Sequence, residues 1–368
     1  MKIIEVVQHL APGGIETLVL ELQQVYSKVD QVIIISLEGQ EQQAMEKWHR
    51  LTNINCTLIF LDKRPGIQLG VIRQLTKIFK TNRPDAVHTH HIGPLLYAGI
   101  AARHAGIHSV THTEHDVWHL QTNRKRFFLQ RVLLQYVKPT LVADATYVSE
   151  ALTALFPKYK NQIITNGINI DTFYPSDMAT ARKALTLEPL SNVKLIGCAA
   201  RLVEGKGHTY LIEALSNLPS NVHLVLAGDG PLRKALEDQC ESLGLSKRVY
   251  FLGNVDQMAN FYRALDLFCL PSEAEGLPLS PLEAQACNIP VVVTNVGGCK
   301  EAVCPNTGIL IPAKDANILT LALTKGLSKK SINFTSRPRD FVTKERSHTS
   351  MASMYRALMQ EKGEKKWL

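Results

Sequence analysis

The stretch KLIGCAARLVEGKGH, residues 194–208, joins a short apolar run to a loop that contains glycines and two cations. The run Lys194–Cys198 has the length and composition of a buried strand. In the loop, Arg201 and Lys206 are suited to hold a diphosphate, the guanidinium as a two-pronged donor and the ammonium as a point charge. Solvated surface charge is the alternative, and these residues taken alone favour it. The stretch therefore predicts a strand and leaves the role of its cations open.

Runs of the same kind alternate with helix-length segments along most of the chain. Continuous apolar runs separated by helices are typical of parallel sheets covered on both faces. The runs form two series, which favours two doubly wound α/β domains over a (β/α)8 barrel. The length of 368 residues agrees, because a single hydrophobic core stops growing near roughly 250–300 residues. The predicted strands are 2–7, 31–36, 57–61, 86–89, 108–112, 140–143 and 162–164, and then 194–198, 223–227, 249–252, 267–270, 290–294 and 308–311.

NGINIDTFYP, residues 166–175, is a turn-rich segment between the two series. We therefore predict one domain over 1–168 and a second over 169–346, followed by a helix at 347–362. Ligands of open parallel sheets collect beyond the carboxyl ends of the strands. We expect the site in the cleft between the two domains.

The composition is that of an ordinary globular protein, with 45% hydrophobic and 20% charged residues. No window approaches the ~20 apolar residues of a membrane span, and the N-terminus lacks a signal peptide's apolar run, so we expect a cytoplasmic protein. The seven cysteines show no C-x-x-C spacing, which indicates core residues and no disulfide framework. The net charge of +8 suits an anionic partner, whether nucleotide phosphates, an anionic membrane face or nucleic acid.

Glycine pairs follow two of the predicted strands. Gly13 and Gly14 lie in APGGIET, residues 11–17, where backbone N–H groups and a helix dipole can face an anion, although a tight turn explains them equally well. Gly228 and Gly230 form a similar turn. Neither segment is a G-x-G-x-x-G fingerprint, and the sequence has no G-x-x-x-x-G-K-[ST] loop.

Histidines cluster at the ends of two other predicted strands. In AVHTHH, residues 86–91, no carboxylate or cysteine accompanies them at a ligand spacing, so we expect these histidines to line the cleft rather than to bind a metal. In HTEHD, residues 112–116, a histidine beside two acids is suited to general acid–base chemistry. A hydrogen-bonded loop is the alternative.

The segment PSEAEGLPLSPLEAQACNIPVVVTNVGGCKE, residues 271–301, holds two glutamates eight residues apart. Glu275 lies in a loop and Glu283 on the helix that follows, so a phosphate could sit at the helix N-terminus between them. SPLE, residues 280–283, also has the pattern of a capping box, and the spacing alone favours the cap. The sequence offers no Asp-x-Asp triplet for a diphosphate-bridging metal ion and no evident nucleophile.

Together these motifs resemble family 4 of the retaining, nucleotide-sugar-dependent glycosyltransferases, which have the GT-B fold of two Rossmann-like domains facing across a cleft. The resemblance covers nearly the whole chain. Each motif alone is weak, but the ordered set is specific. The matching segments are GGIE (13–16), TEHD (113–116), NGI (166–168), ARL…KG (200–207), GDGPL (228–232), LPS…EGLP (270–278) with the E-x7-E pair of Glu275 and Glu283, and VGG…E (296–301).

The resemblance implies a role for each matched residue. Domain 1–168, joined by the helix at 347–362, would bind the acceptor, and domain 169–346 the nucleotide sugar. Arg201 and Lys206 resemble the pair that grips the donor diphosphate. The other implied contacts are Gly14 beside acceptor and phosphate, His115 near the 6-position of the transferred sugar, Glu275 at the sugar hydroxyls, Glu283 at the ribose, the N–H groups of Leu277, Leu279 and Ser280 near sugar and phosphate, and Gly230, Asn254 and Val255 at the base.

The implied reaction is sugar transfer with retention, from a nucleotide sugar to a glycan or lipid-linked acceptor in surface polysaccharide assembly. Arg201, Lys206 and helix N-termini would stabilise the departing diphosphate, with no metal and no cofactor. His115 and Glu275 complete the implied catalytic set. The departing phosphate would take the acceptor's proton, so no protein base is assigned, and His115 is left to act through either its ring or its carbonyl.

NRKRFFLQRVLLQYVK, residues 123–138, is both basic and apolar. Such a helix can lie on an anionic membrane, where lipid-linked sugars are found, and a half-buried helix with a solvated basic face is the alternative. The expected partners are thus a nucleotide sugar, a glycan or lipid-linked acceptor and a peripheral membrane surface. No nucleic acid is expected.

Three other functions compete with transfer. A nucleotide-sugar 2-epimerase would share the fold but needs acid–base groups that we cannot identify. A nicotinamide oxidoreductase would need the G-x-G-x-x-G loop and a ribose-binding acid. A non-catalytic sugar-binding protein would not need Arg201, Lys206, Glu275 and Glu283 all intact.

Overall fold

Two separate parallel sheets organise the chain in the computed structural model, which describes residues 1–187, 190, 192–328 and 337–364, the last three of these without their side chains. One sheet has seven strands and the other has six. Two open sheets exclude the single barrel, and the prediction of two doubly wound α/β domains is confirmed.

The N-terminal unit comprises Met1–Gly167 together with the segment from His348 onward. Its strands run in the order β3-β2-β1-β4-β5-β6-β7, and every neighbouring pair of these described strands is parallel. They are β1 Lys2–Val7, β2 Gln31–Ser36, β3 Thr57–Phe60, β4 Ala86–His90, β5 Ser109–Glu114, β6 Thr140–Ala143 and β7 Asn161–Ile163.

The C-terminal unit comprises Ile168–Ser347. Its described strands are again all parallel and run in the order β10-β9-β8-β11-β12-β13. They are β8 Lys194–Ala199, β9 Val222–Ala227, β10 Val249–Gly253, β11 Leu267–Leu270, β12 Val291–Thr294 and β13 Ile309–Ile311.

Helices follow most strands, as a parallel sheet requires. The last helix returns to the N-terminal unit, where Tyr355 Oη lies 3.1 Å from Thr113 Oγ1 on β5. The helices are α1 Gly14–Tyr26, α2 Glu41–Lys47, α3 Leu69–Asn82, α4 Ile92–Pro94, α5 Ile100–His104, α6 Trp118–Gln121, α7 Arg124–Val137, α8 Thr146–Leu155, α9 Met178–Ala184, α10 His208–Ser216, α11 Arg233–Ser242, α12 Met258–Arg263, α13 Leu279–Ala286, α14 Ala316–Leu327, α15 Pro338–Glu345 and α16 His348–Glu364.

All thirteen predicted strands are present, and no strand end differs from its predicted position by more than two residues. The units divide after Gly167 and after Ser347, one residue from each predicted boundary. No helix among the described residues combines the length and the apolar character that crossing a membrane requires.

The strand order reverses beside one strand in each sheet. The reversal falls between β1 and β4 in one unit and between β8 and β11 in the other. Loops that follow such a pair of strands turn to opposite faces of the sheet and leave a crevice at its carboxyl edge, where ligands bind. The loops carrying Gly14, His91, Lys206 and Glu275 follow these four strands.

Candidate active site

Lys206 and Glu275 come together at the reversal point of the C-terminal unit. Lys206 follows β8, Glu275 follows β11, and the Lys206 Nζ lies 2.6 Å from Glu275 Oε1. The Ser272 hydroxyl donates a hydrogen bond to the same oxygen at 2.7 Å. The Lys206 side chain is 23% exposed and the Glu275 side chain 11%. Two residues 69 positions apart thus form one ion pair that solvent can still reach.

Arg201 lies on the same loop as Lys206 but is exposed. Within the described residues its guanidinium makes no hydrogen bond or ion pair. The loop itself is fixed, since Leu202 N–H donates to the Asp229 carbonyl and Leu232 N–H donates to the Leu202 carbonyl, both at 3.0 Å. An unpaired guanidinium on a fixed loop can bind an anion without first losing a protein contact.

Two glycines allow the loops around Glu275 to approach each other closely. At Gly207, whose φ is 70°, an added Cβ would lie 2.0 Å from the Pro271 carbonyl oxygen. At Gly297, whose φ is 51°, an added Cβ would lie 1.9 Å from the Glu275 carbonyl oxygen. Any side chain at these positions would displace the backbone that carries Lys206 or Glu275.

The three predicted base contacts lie on neighbouring loops, because β9 and β10 are the next strands beyond β8. An added Cβ on Gly230 would lie 2.4 Å from the Leu202 carbonyl oxygen, so this glycine packs against the Arg201 loop. Asn254 is exposed and Val255 is half-buried. The structure therefore brings these residues to one edge of the sheet.

Glu283 does not cap a helix. Helix α13 begins at Leu279, two residues earlier than the capping box requires, and Pro278 occupies the position before it. Instead, the Tyr262 hydroxyl donates to Glu283 Oε2 at 2.5 Å, and burial together with the Glu283 charge raises the pKa of Tyr262. The capping box that the spacing alone favoured is absent because the helix begins before Ser280, and a tertiary partner holds this carboxylate.

The first turn of α13 supplies the predicted backbone donors. Leu279 and Ser280 are its first two residues, and the buried Leu277 precedes it. The first N–H groups of a helix have no acceptor within the helix, and Pro281 has no N–H group to offer. Within α13, Leu279 and Ser280 thus carry the N–H groups nearest in the chain to Glu275.

In the N-terminal unit, Gly14 is the exposed first residue of α1. An added Cβ on Gly14 would meet no atom within 4 Å, whereas one on Gly13 would lie 2.3 Å from Glu16 Oε2. Burial raises the pKa of Glu16, although the nearby His9 offsets part of this effect. The helix N-terminus is therefore open to a ligand at Gly14 and closed by the protein at Gly13.

His115 is an inner member of a row of four titratable side chains that ends in Asp144 and in Glu5. Its Nδ1 lies 3.0 Å from Asp144 Oδ2, and its Nε2 lies 3.0 Å from His90 Nδ1. The His90 Nε2 in turn lies 2.9 Å from Glu5 Oε2. All four side chains are buried. Both ring nitrogens of His115 therefore contact the protein.

The pKa values of the two carboxylates at the ends of this row are shifted in opposite directions. Burial raises the pKa of Glu5, but the attraction of His88 and the hydrogen bonds to His88 and His90 outweigh it and lower the pKa to about 2. Burial raises the pKa of Asp144, and the hydrogen bond from His115 offsets only part of the rise. Burial also lowers the pKa of His90. Glu5 therefore stays ionised, whereas Asp144 keeps a proton more readily than an ordinary aspartate.

The expectation that His88 and His90 line the cleft is wrong. His88 and His90 are 0% and 1% exposed, so they line no open surface, and only His91 reaches solvent. A carboxylate does accompany them, since Glu5 on the neighbouring strand lies within 3.0 Å of both rings. Spacing along the chain could not reveal this contact. The available signal was an acid inside the apolar strand KIIEVV, because a buried charge requires a partner.

Comparison with known proteins assigns the chain to a family. Residues 12–172 match the family model described as Glycosyltransferase Family 4, and residues 186–347 match that of Glycosyl transferases group 1. The UDP-Gal:alpha-D-GlcNAc-diphosphoundecaprenol alpha-1,3-galactosyltransferase of Escherichia coli is 30% identical over 277 residues, which cover 72% of this chain and 71% of that protein. The chain belongs to glycosyltransferase family 4.

Other relatives agree with this assignment. The lipopolysaccharide core biosynthesis mannosyltransferase LpsB of Rhizobium meliloti is 32% identical to the transferase over 242 residues, 59% of this chain and 66% of that protein. Alr3699/HepE of Anabaena, solved with UDP and glucose, superposes with a TM-score of 0.83 at 21% identity, over 98% of this chain and 99% of that one. The transferase thus has the GT-B fold. Its membership of glycosyltransferase family 4, rather than this fold, sets aside the oxidoreductase and 2-epimerase alternatives.

Proposed function

We propose that the transferase moves a sugar, with retention of its anomeric configuration, from a nucleoside diphosphate donor to a lipid-linked glycan acceptor in surface polysaccharide assembly. The C-terminal unit would hold the donor, and the N-terminal unit, which includes α16, would hold the acceptor. The observation that carries this proposal is the solvent-accessible Lys206–Glu275 ion pair beside the unpaired Arg201. The Escherichia coli relative, whose name contains both UDP-Gal and a diphosphoundecaprenol-linked sugar, supports the class of donor and acceptor.

Donor binding would exchange partners within the ion pair. The Lys206 ammonium would turn to the diphosphate, and the released Glu275 carboxylate would accept hydrogen bonds from sugar hydroxyls. Arg201 and the N–H groups of Leu279 and Ser280 would add fixed positive charge at the same phosphates. Each of these groups follows β8 or β11, so all of them lie at the carboxyl edge of the same sheet.

In the proposed reaction the anomeric C–O bond to the diphosphate breaks while the acceptor oxygen bonds to the same face of the sugar. The acceptor's proton passes to the departing phosphate oxygen. Negative charge that develops on the diphosphate is stabilised by Arg201 and Lys206, which are already in place. We propose that this scheme needs no metal ion at the diphosphate, so added Mg²⁺ or Mn²⁺ should leave the rate unchanged.

His115 is proposed to contact the sugar through its backbone carbonyl. Its ring nitrogens already contact Asp144 and His90, so a sugar hydroxyl could reach the ring only by displacing one of them. The two partners would instead hold the residue in position. Glu283, oriented by the Tyr262 hydroxyl, is proposed to bind the ribose, with Gly230, Asn254 and Val255 at the base and Gly14 at the acceptor side.

The test is a donor screen followed by two substitutions. UDP and GDP sugars should raise the melting temperature selectively and NAD(H) should not, because a ligand stabilises the state that binds it. Lys206→Gln and Glu275→Gln should each lower transfer by about 10²–10³-fold, the usual loss when a transition-state contact is removed. Lys234→Gln is a matched control, since Lys234 also pairs with a carboxylate, 2.5 Å from Asp238, but on exposed α11. Stabilisation by NAD(H) alone, or full turnover in both variants, would contradict the proposal.

Helix α7 supports a membrane-bound acceptor. Phe128, Val132 and Tyr136 are 55%, 60% and 51% exposed, and their spacing of four residues places them in one stripe. Arg124 and Arg131 on the same helix are also exposed. An apolar stripe flanked by cations is the surface that binds an anionic bilayer. We propose that α7 lies on the cytoplasmic face of such a membrane.

Vesicle sedimentation tests this contact. The transferase should sediment with vesicles that contain phosphatidylglycerol and much less with vesicles of phosphatidylcholine alone, and salt should weaken the binding. Phe128→Ser with Val132→Ser should abolish sedimentation. Leu321→Ser is the control, because Leu321 is 71% exposed on α14 in the other unit. Equal loss in the control, or none in the double variant, would exclude α7 as the membrane surface.

A further inference from the structure

A second polar cluster lies at the carboxyl edge of the N-terminal sheet. Its side chains are more exposed to solvent than those of the row that contains His115. His91 directly follows β4, Asp116 follows β5, and His119 is on α6. The His91 Nε2 lies 3.6 Å from Asp116 Oδ2, and the His119 Nδ1 lies 2.8 Å from Asp116 Oδ1. One atom from each of the three residues lies within 4.8 Å of the other two. Possible ligand atoms from two imidazoles and one carboxylate thus lie close to one another.

Glu114 lies on the opposite side of both histidines. Its Oε2 is 3.2 Å from His91 Nδ1 and 3.9 Å from His119 Nε2. The latter nitrogen is buried and has no hydrogen-bond partner among the described residues. Each imidazole therefore turns one nitrogen toward Asp116 and the other toward Glu114. A carboxylate behind a metal-binding histidine fixes the ring so that its lone pair faces the ion.

We propose that His91, Asp116 and His119 bind one divalent transition-metal ion of the zinc class, with Glu114 orienting the His91 imidazole through their hydrogen bond. Ligand atoms of a tetrahedral zinc ion lie about 2.0 Å from the metal and hence about 3.3 Å from one another. The observed separations of 3.6 Å and 2.8 Å, which end on different Asp116 oxygens, are both close to that value. Two nitrogens and one oxygen favour zinc over Mg²⁺ or Ca²⁺, which prefer oxygen alone. Three protein ligands leave a fourth position for water or another oxygen.

Access distinguishes this site from the other group of possible ligands. The side chains of His91, Asp116 and His119 are 27%, 14% and 10% exposed, so an ion can enter from solvent. In contrast, Glu5, His88 and His90 are fully buried. Their ring nitrogens already have protein partners, including Thr113 Oγ1 at 2.8 Å from His88 Nε2.

The competing explanation is a metal-free cluster in which a protonated His91 lies between Glu114 and Asp116. Metal content separates the two without any assay of transfer, so the result is independent of the proposed function. The full chain would be purified without a polyhistidine tag, loaded with ZnCl2, dialysed and analysed by plasma mass spectrometry. We expect about one zinc ion per chain. Replacement by Co²⁺ should give the intense visible absorption of a tetrahedral site with nitrogen and oxygen ligands.

Substitutions locate the ion. Asp116→Asn and His119→Asn should each reduce zinc to below about a tenth of an equivalent, and Glu114→Gln should weaken affinity about 10–100-fold. His223→Gln, which removes a histidine from the C-terminal unit, should retain the full equivalent. A wild-type chain without zinc or tetrahedral Co²⁺ absorption overturns the proposal even if a variant fails to fold. Full zinc content in both ligand variants overturns it as well.

Discussion

His208 gives the C-terminal unit a calculable sensitivity to acid. This first residue of α10 is 2% exposed, and neither ring nitrogen has a hydrogen-bond partner among the described residues. Burial, with a smaller contribution from the neighbouring Lys206 charge, lowers the pKa of His208 from 6.5 to about 4. The residue is therefore neutral in the native protein at pH 7, and protonating it in place is costly.

The sign and size of the effect follow from the two pKa values. Between pH 6.5 and pH 4 the unfolded chain binds a proton at His208 and the native chain does not, so the free energy of unfolding rises with pH. The contribution is complete above pH 6.5 and absent below pH 4. The pKa difference corresponds to about 3 kcal/mol in total, and to about 2 kcal/mol already lost at pH 5.

Thiol labelling measures this quantity in the relevant unit. Cys198 and Cys240 are free and buried in the C-terminal unit, so their reaction with dithiodipyridine in urea reports its unfolding. The wild-type chain should lose about 2 kcal/mol more than His208→Leu between pH 7.5 and pH 5. His223→Gln should keep most of the wild-type loss, since His223 is only half-buried. The same pH dependence in His208→Leu and in the wild type would refute the assignment of a buried, neutral His208.

Two further substitutions test other parts of the C-terminal unit. Gly297→Ala should lower transfer at least about tenfold, because its Cβ would lie 1.9 Å from the Glu275 carbonyl oxygen. Gly244→Ala is the control for backbone strain, since Gly244 also has a positive φ but a Cβ there would meet no atom within 4 Å. Equal activity of the two variants would contradict a role for the contact at Gly297. Arg182→Ala should lower the free energy of unfolding by about 3 kcal/mol, because the buried guanidinium contacts Asp266 Oδ2 at 3.0 Å and also backbone carbonyls. Urea denaturation measures this loss, and a value below about 1 kcal/mol would contradict a stabilising role for Arg182.

The strands were predictable because their burial on both faces requires a locally apolar sequence. A parallel strand covered on both faces must be apolar at nearly every position, so runs such as Lys2–Val7 and Leu267–Leu270 stand out without any knowledge of their neighbours. The strand order then places Lys206 and Glu275 at a reversal point. That order is a property of the whole sheet, and here the motifs carried by the family resemblance supplied what the composition could not.

Side-chain partners were not predictable where the sheet register selects them. Glu5 meets His88 because β1 and β4 pair with these residues side by side, across 83 positions of sequence. The failed capping box has a similar origin. The S-x-x-E pattern is present in the sequence, but the Glu283 carboxylate accepts a buried hydrogen bond from Tyr262 on α12 and does not cap the helix. Local rules fail where a distant side chain offers a better partner.

The exposure of the Lys206–Glu275 pair is what suits it to the proposed exchange. A diphosphate that reaches Lys206 from solvent would replace one anion by another, so the ammonium would not be left without a counter-charge. The Arg182–Asp266 pair of the same unit is less suited to such an exchange, because Arg182 is 5% exposed and also donates to the Ala264 and Leu190 carbonyls. Before the donor arrives, Glu275 neutralises Lys206 and keeps it in place. After the exchange the same carboxylate can bind hydroxyls, so one residue serves both states.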